Sequence, residues 1–459
     1  TGGSNVGIGR SALASNTTAN HNVAIGREAM LANTTGSENT AVGTFALDAN
    51  TTANSNSAFG YASLSANTTG ANNTGLGEST LRANTTGIDN VAVGWSALTA
   101  NTTGGDNVAV GKQALIANTT ASGNTALGDR TLQANTTGQY NTSVGKDALY
   151  NCTTANNNTA VGVDASGSIT TGGDNASFGY RALEALTTGN SNVALGPGAL
   201  RTMTVGDRNT ALGYEALRTA NVTSNADQYN VAAGYQAGVE VSTGTNNTLI
   251  GSRAGHTISS GPHNVCLGSE SGRSSVAITT GTGNSLLGTF SHTSSATTSY
   301  ANGIGYDINA AGGYTTVGKG TSDIRAVHGT ATWATVSDER YKKDIVDSRA
   351  GLSFINALQP RTFKYKNLGE LPETFNAYEA DSTEVFKNSY TNHGFIAQEV
   401  KAVIDADDSI KDGFKLWDDR EDGSQEVAEA ALIPVLVKAI QEQNALIEAL
   451  TTRIETLEG

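Results

Sequence analysis

Asn107-Val-Ala-Val-Gly111-Lys-Gln-Ala-Leu-Ile-Ala-Asn118-Thr-Thr-Ala-Ser-Gly123 is one copy of a 17-residue unit that fills most of the chain. An Asn opens each copy at Asn5, Asn22 and Asn39, and then every 17 residues to Asn209. The register resumes at Asn230, Asn247 and Asn264 after a four-residue insertion, and at Asn284 after a further three. A fixed period of this length marks a solenoid, in which each coil stacks on the next. Within a unit, Val108 and Val110 flank Ala109, which predicts a short strand with one face inward. Gly111 ends it and permits a bend or a close backbone approach. Ala114 and Leu115 turn inward on a second segment, either a strand or a single helical turn, and Asn118-Thr119-Thr120 closes the coil with turn residues. A three-sided β-helix would want a period near 18 and an apolar residue at every sixth position, so a flatter two-sided roll is expected.

The fold class expected is therefore mainly β: a β-roll shaft over 1–283, degenerate repeats over 284–336, and a small α+β domain over 337–459. Each coil supplies only three or four small apolar side chains, a thin core for the entropy of ordering 17 residues. Three rolls packed about one axis would bury a second face, and the abundance of Ala and Gly suits close approach of three backbones. The Asn-x-Ala-Val-Gly units resemble the head repeats of trimeric autotransporter adhesins of the YadA type, which implies a homotrimer. Past Asn284 come Tyr300, Tyr306, Tyr314 and Trp333, read as plugging the distal end of a fibre.

Composition narrows the function. Among 459 residues the formal net charge is −14, which argues against nucleic acid as a partner. No apolar run reaches the roughly 20 residues of a membrane span, so no membrane insertion is expected. The chain opens on Thr1 without a signal-peptide layout, as a piece of a longer protein would. Cys152 and Cys266 lie in different repeats and read as small buried hydrophobes. No metal or cofactor is expected. Asn-Thr-Thr matches the glycosylation sequon and its Thr ranks suggest ice-binding surfaces, but the turn position of both disfavours these readings.

The last quarter changes character. Ser337-Asp338-Glu339-Arg340-Tyr341-Lys342 starts it, His393-Gly394-Phe395-Ile396-Ala397-Gln398-Glu399-Val400 follows, and Ala431-Leu432-Ile433-Pro434-Val435-Leu436-Val437-Lys438-Ala439-Ile440-Gln441-Glu442 leads into a helix over about 430–458. In that helix Ile433, Leu436, Ile440, Gln443, Ile447, Leu450, Ile454 and Leu457 alternate spacings of three and four, a heptad seam read as that of a trimer. Ile345, Phe354, Ile355 and Leu358 follow helical spacing, Thr362–Tyr365 and Lys415–Trp417 read as strands, and the stretch from Lys366 to Asn392 has no clear period.

These segments, in this order, resemble the endosialidase-type intramolecular chaperone, peptidase family S74, found at the end of phage tail fibres and spikes. Tyr341 departs from the Leu more usual there. The resemblance implies that Ser337 is a nucleophile and Lys342 its base, cutting the chain between Val336 and Ser337. Asp338, Arg340, His393, Gln398 and Glu399 would support the site or the trimer. It further implies a virion tail fibre made in the host cytoplasm, attached to other tail proteins, and meeting a host cell-surface glycan or protein receptor. Two alternatives come from other classes. A glycan-degrading spike would need its catalytic domain outside this chain, and a bacterial surface adhesin would end in a membrane barrel.

Overall fold

The structure is a computed structural model, and it describes residues 2–222, 226–273, 276–330, 333–335, 337, 339–408, 410, 414–420 and 422–458. The chain divides into two compact units, Thr1–Val336 and Ser337–Gly459.

The first unit is a β-solenoid of about 18 turns. Each coil contributes a three-residue strand paired in parallel with the next, and Val108, Ala109 and Val110 lie opposite Thr125, Ala126 and Leu127. The two insertions leave the stack unbroken, with Thr210 opposite Val231 and Val265 opposite Ser285. The residue facing inward is the small central one: Ala109 is fully buried, whereas Val108 is partly exposed. The Ala content thus serves each coil's own interior; a larger residue takes the strand centre at Leu249, where Gly238 and Gly255 replace the leucine of the turn column and lie against it.

The second segment is neither a strand nor a helical turn. Gln113 and Leu115 both adopt left-handed backbone, with φ of 57° and 52°. This alternation turns successive N–H groups to opposite neighbours. Gln113 N–H donates back to Trp95 O at 2.9 Å, and Leu115 N–H donates forward to Thr131 O at 3.1 Å. Left-handed backbone costs a non-glycine residue about 1–2 kcal/mol. Burial of the Leu115 side chain, worth about 1.5–3 kcal/mol, offsets much of it.

Asparagine supplies what the apolar core lacks. The Asn107 N–H and Nδ2 both donate to Asn90 Oδ1 at 3.1 Å, and Nδ2 also donates to the Ala121 carbonyl at 2.8 Å. Its own Oδ1 accepts from Asn124 N–H at 3.0 Å and Asn124 Nδ2 at 3.3 Å. All four positions of the amide are filled in a dry interior. A second ladder joins the Asn of each Asn-Thr-Thr, where Asn118 Nδ2 donates to Asn101 Oδ1 at 2.9 Å. Asn118 is fully buried, which rules out a glycan on it. This second ladder ends at Cys152. From there its column continues as Ile169, Leu186 and Met203, all fully buried. Burial pushes the thiols of Cys152 and Cys266 up to about 12, so they stay protonated and inert.

Glycine closes the strand where coils touch most closely. A Cβ on Gly128, whose φ is +143°, would lie 2.5 Å from the Gly145 carbonyl oxygen. The parallel stack then ends on a reversal. Tyr314–Lys319 joins the previous strand in parallel, and Ser322–Val327 folds back antiparallel to it about Gly320. This hairpin covers the edge that the last coil would otherwise present.

In the second unit, helix α1 (Leu352–Ala357), helix α2 (Ala397–Asp405) and helix α3 (Leu432–Glu458) surround two short antiparallel pairs. These pairs are Arg361–Phe363 with Asn392–Gly394, and Trp417–Asp419 with Gln425–Val427. The expected helix around Ile345 is confined to α1, and Ile345 lies exposed outside it. Phe354, Val400, Ile404, Leu416, Leu432 and Val435 form the core. The excursion over 366–392 is ordered by hydrogen bonds: Leu368 N–H donates to Glu384 O at 2.7 Å, and Asn376 N–H to Asp422 Oδ2 at 3.1 Å.

Two outcomes follow for the solenoid. Asn107→Ala, which leaves the buried Asn124 N–H unpaired and removes one of two hydrogen bonds at both Asn90 Oδ1 and the Ala121 carbonyl, should destabilise the stack by about 1–3 kcal/mol, read as a lower urea midpoint. Gly128→Ala should expose the coils around it to amide exchange, whereas Thr137→Ala, exposed on the same coil, should not.

Candidate functional site

Ser337 opens the second unit and is followed by one turn of 3-10 helix over Glu339–Tyr341. Lys342 N–H donates to Glu339 O at 2.8 Å, which closes that turn. The tighter coil draws the fifth residue back over the first. Lys342 Nζ lies 2.7 Å from Ser337 Oγ and 3.3 Å from the Ser337 carbonyl oxygen, donating to both. Both side chains are exposed in the single chain. The expected cleavage partner Val336 and the supporting Asp338 lie outside the described residues, as does the side chain of Tyr341. Arg340 sits exposed on the 3-10 turn.

The other expected residues stand elsewhere in the unit. His393 is exposed on the strand Asn392–Gly394, opposite Thr362. Gln398 and Glu399 occupy the first turn of α2. Glu399 forms a two-pronged pair with Arg361, at 2.9 Å from Nε and 2.8 Å from Nη2. These hydrogen bonds, ahead of the guanidinium charge, hold the Glu399 carboxyl below its usual range. Among the described residues no hydrogen bond or ion pair joins His393, Gln398 or Glu399 to the Ser337–Lys342 pair. Glu399 ties α2 to the strand, which is a scaffold role.

Sequence reasoning missed two residues of this scaffold. Arg361 lies 38 residues from Glu399. Glu442 on α3 accepts the Leu352 N–H at 2.8 Å across 90 residues, satisfying the start of α1 where Gly351 offers no side-chain cap. Arg361 stands in no recognisable pattern, and Glu442 ends the segment that leads into the terminal helix, but the partner of each is reached only through the fold.

Helix α3 carries two apolar faces in its first turns. Leu432, Val435 and Ala439 are buried against the unit. The seam residues Ile433, Leu436, Ile440, Ile447, Leu450, Ile454 and Leu457 are exposed, with Gln443 among them. A similar bare face runs along the solenoid. The third residue of each strand, from Ile8 through Leu76 and Leu127 to Ile304, points outward, and this column carries no charge. Among the described residues no helix is long and apolar enough to cross a membrane.

Residues 337–408 match the family model of Peptidase_S74, the chaperone of endosialidase. Comparison with curated proteins and with solved structures finds no match to this chain. The residues after the solenoid, beginning at Ser337, thus carry a chaperone-of-endosialidase domain.

Proposed function

We propose that the chain is a homotrimeric fibre segment that its C-terminal domain assembles and then releases by a cut between Val336 and Ser337. The observation that carries this reading is the 2.7 Å approach of Lys342 Nζ to Ser337 Oγ at the first residue of a domain matched to a folding chaperone. In the reaction, Ser337 Oγ attacks the Val336 carbonyl carbon while Lys342 takes the hydroxyl proton. The C–N bond breaks, the proton passes to the Ser337 amine, and an ester links Val336 to Ser337 Oγ. Water then adds to the ester, freeing the Val336 carboxylate and restoring the hydroxyl.

A lysine accepts that proton only as a neutral amine, a form favoured by removal from water. Ser337 and Lys342 are exposed in the single chain, so covering by partner copies would switch the base on. Assembly then precedes the cut. The seam of α3 and the charge-free strand column each give the chain an apolar surface, and three copies bury both. The number three comes from the family resemblance, since Ile at the a positions and Leu at d would by themselves suit two strands. Near-identical coils offer many equivalent registers, and a trimer nucleated at α3 selects one.

A phage tail fibre is the setting this reading favours, with the solenoid as shaft, other tail proteins ahead of it, and a host cell-surface glycan or protein as its receptor.

The wild-type chain should yield two fragments, ending at Val336 and beginning at Ser337, by intact mass. Ser337→Ala should remain at full mass, and cleavage of that variant at this bond would overturn the mechanism. Light scattering of the Ser337→Ala chain should give three copies, and Ile440→Asp together with Ile447→Asp should give monomer or aggregate. A chain stopped at Val336 should aggregate when made alone, whereas shaft cleaved after folding should stay trimeric in warm detergent.

A further inference from the structure

Four consecutive coils place Arg130, Asp147, Asp164 and Arg181 in one column on the turn segments, away from the strand column. Beside it run Tyr150, Gly167 and Glu184, again at one coil position. Between Tyr150 and Glu184 the missing side chain of Gly167 opens a cleft of about 480 Å³, a size within the range of small-molecule sites.

Gly167 is not demanded by the backbone. Its φ is not in the left-handed region, and a Cβ there would meet nothing closer than 3.5 Å, the carbonyl oxygens of Asp147 and Asp164. That sets it apart from Gly145, Gly162 and Gly179, each of which faces a carbonyl of the next coil too close for any Cβ. The coils two above and one below carry Gln133 and Glu184 at the same position. The fold would accept a side chain here, and the gap is what its absence leaves.

The walls of the cleft hold polar atoms that no hydrogen bond uses among the described residues. Arg130 Nη2 pairs with Asp147 Oδ2 at 2.8 Å, but Asp147 Oδ1 and Arg130 Nε are buried without a hydrogen-bond partner among those residues, the latter 3.9 Å from Asp129 Oδ2. Arg181 Nε lies 3.3 Å from Glu184 Oε1 and 3.6 Å from Asp164 Oδ2, with hydrogen-bond geometry to neither. Unmet donors and an unmet acceptor stand side by side. Three carboxylates disfavour an anion and two guanidinium groups disfavour a metal cation. A ligand that both donates and accepts and carries no charge satisfies all of these groups, beside a Tyr150 ring over which the Arg130 guanidinium lies at 5.6 Å from the centroid. We propose that the cleft at Gly167 binds a neutral saccharide, its hydroxyls bridging Asp147 to Arg130 and Arg181. This site is independent of the Ser337 reaction.

The test uses the full-length chain on a printed array of neutral, amino-sugar and sialylated oligosaccharides, followed by calorimetric titration of the best neutral binder and its free methyl glycoside. Binding of a neutral saccharide is expected, with Gly167→Gln and Asp147→Asn each weakening it about tenfold or more at an unchanged unfolding temperature. The methyl glycoside should retain measurable binding if one ring fills the site, and its failure where the longer chain binds would assign the cleft to an internal unit of a polysaccharide. Binding confined to sialylated sugars, no neutral binder on the array, or unchanged affinity in both variants would overturn the proposal. A Gly167→Gln chain that fails to fold would also overturn it, since the glycine would then serve the backbone.

Discussion

The asparagine amide is the constraint on which the solenoid depends. Its side chain is one of the few that can donate twice and accept twice, and in coil after coil it does both without water. An aspartate could not donate and a leucine could do neither, so an interior lined by either would leave backbone groups of the strand start and turn unpaired. The amide also constrains the period. Each Oδ1 meets its partner 17 residues on through most of the shaft, and the ladder still closes across the longer coil after Asn209, where Asn230 N–H donates to Asn209 Oδ1 at 3.3 Å. Beyond Cys152 the second ladder gives way to Ile169, Leu186 and Met203, showing that its column can be filled by packing once no amide remains to be satisfied.

Left-handed backbone at Gln113 and Leu115 is the cost of making a coil this short. A helical turn would send its N–H groups to its own carbonyls, and a strand would need a second flat sheet. Alternating handedness instead lets one segment bond both neighbours while keeping Leu115 inward. The same economy leaves nothing to cover the outer strand column. Val, Leu, Ile and Phe stand there without a charge among them, a surface suited to another apolar face and poorly suited to water.

The C-terminal domain solves a different problem with ordinary means. Its core is built from residues on all three helices, so α3 is part of the domain for its first turns and a free heptad helix afterwards. Glu442, reaching back to Leu352, and Glu399, clasping Arg361, hold helix starts that no local cap satisfies. The 3-10 turn after Ser337 needs no such help, since the Glu339 carbonyl closes it within three residues.

Much of this was legible in the chain alone. The period, the strand at Val108–Val110, the break at Gly111 and the terminal helix are local or periodic signals, and such signals survive in a sequence because they act between neighbours or repeat without change. The Ser337–Lys342 pair stands out only through the family resemblance. Which strand residue faces inward was not legible, because Ala109 and Val108 alternate equally well either way and only the width of the coil decides. Nor was the burial of Asn118, whose composition reads as an exposed turn until the coil above supplies the partner for its amide. The left-handed Leu115, the Arg361–Glu399 pair and the gap at Gly167 share one cause. Each is set by groups far along the chain, and only the folded backbone brings those groups into reach.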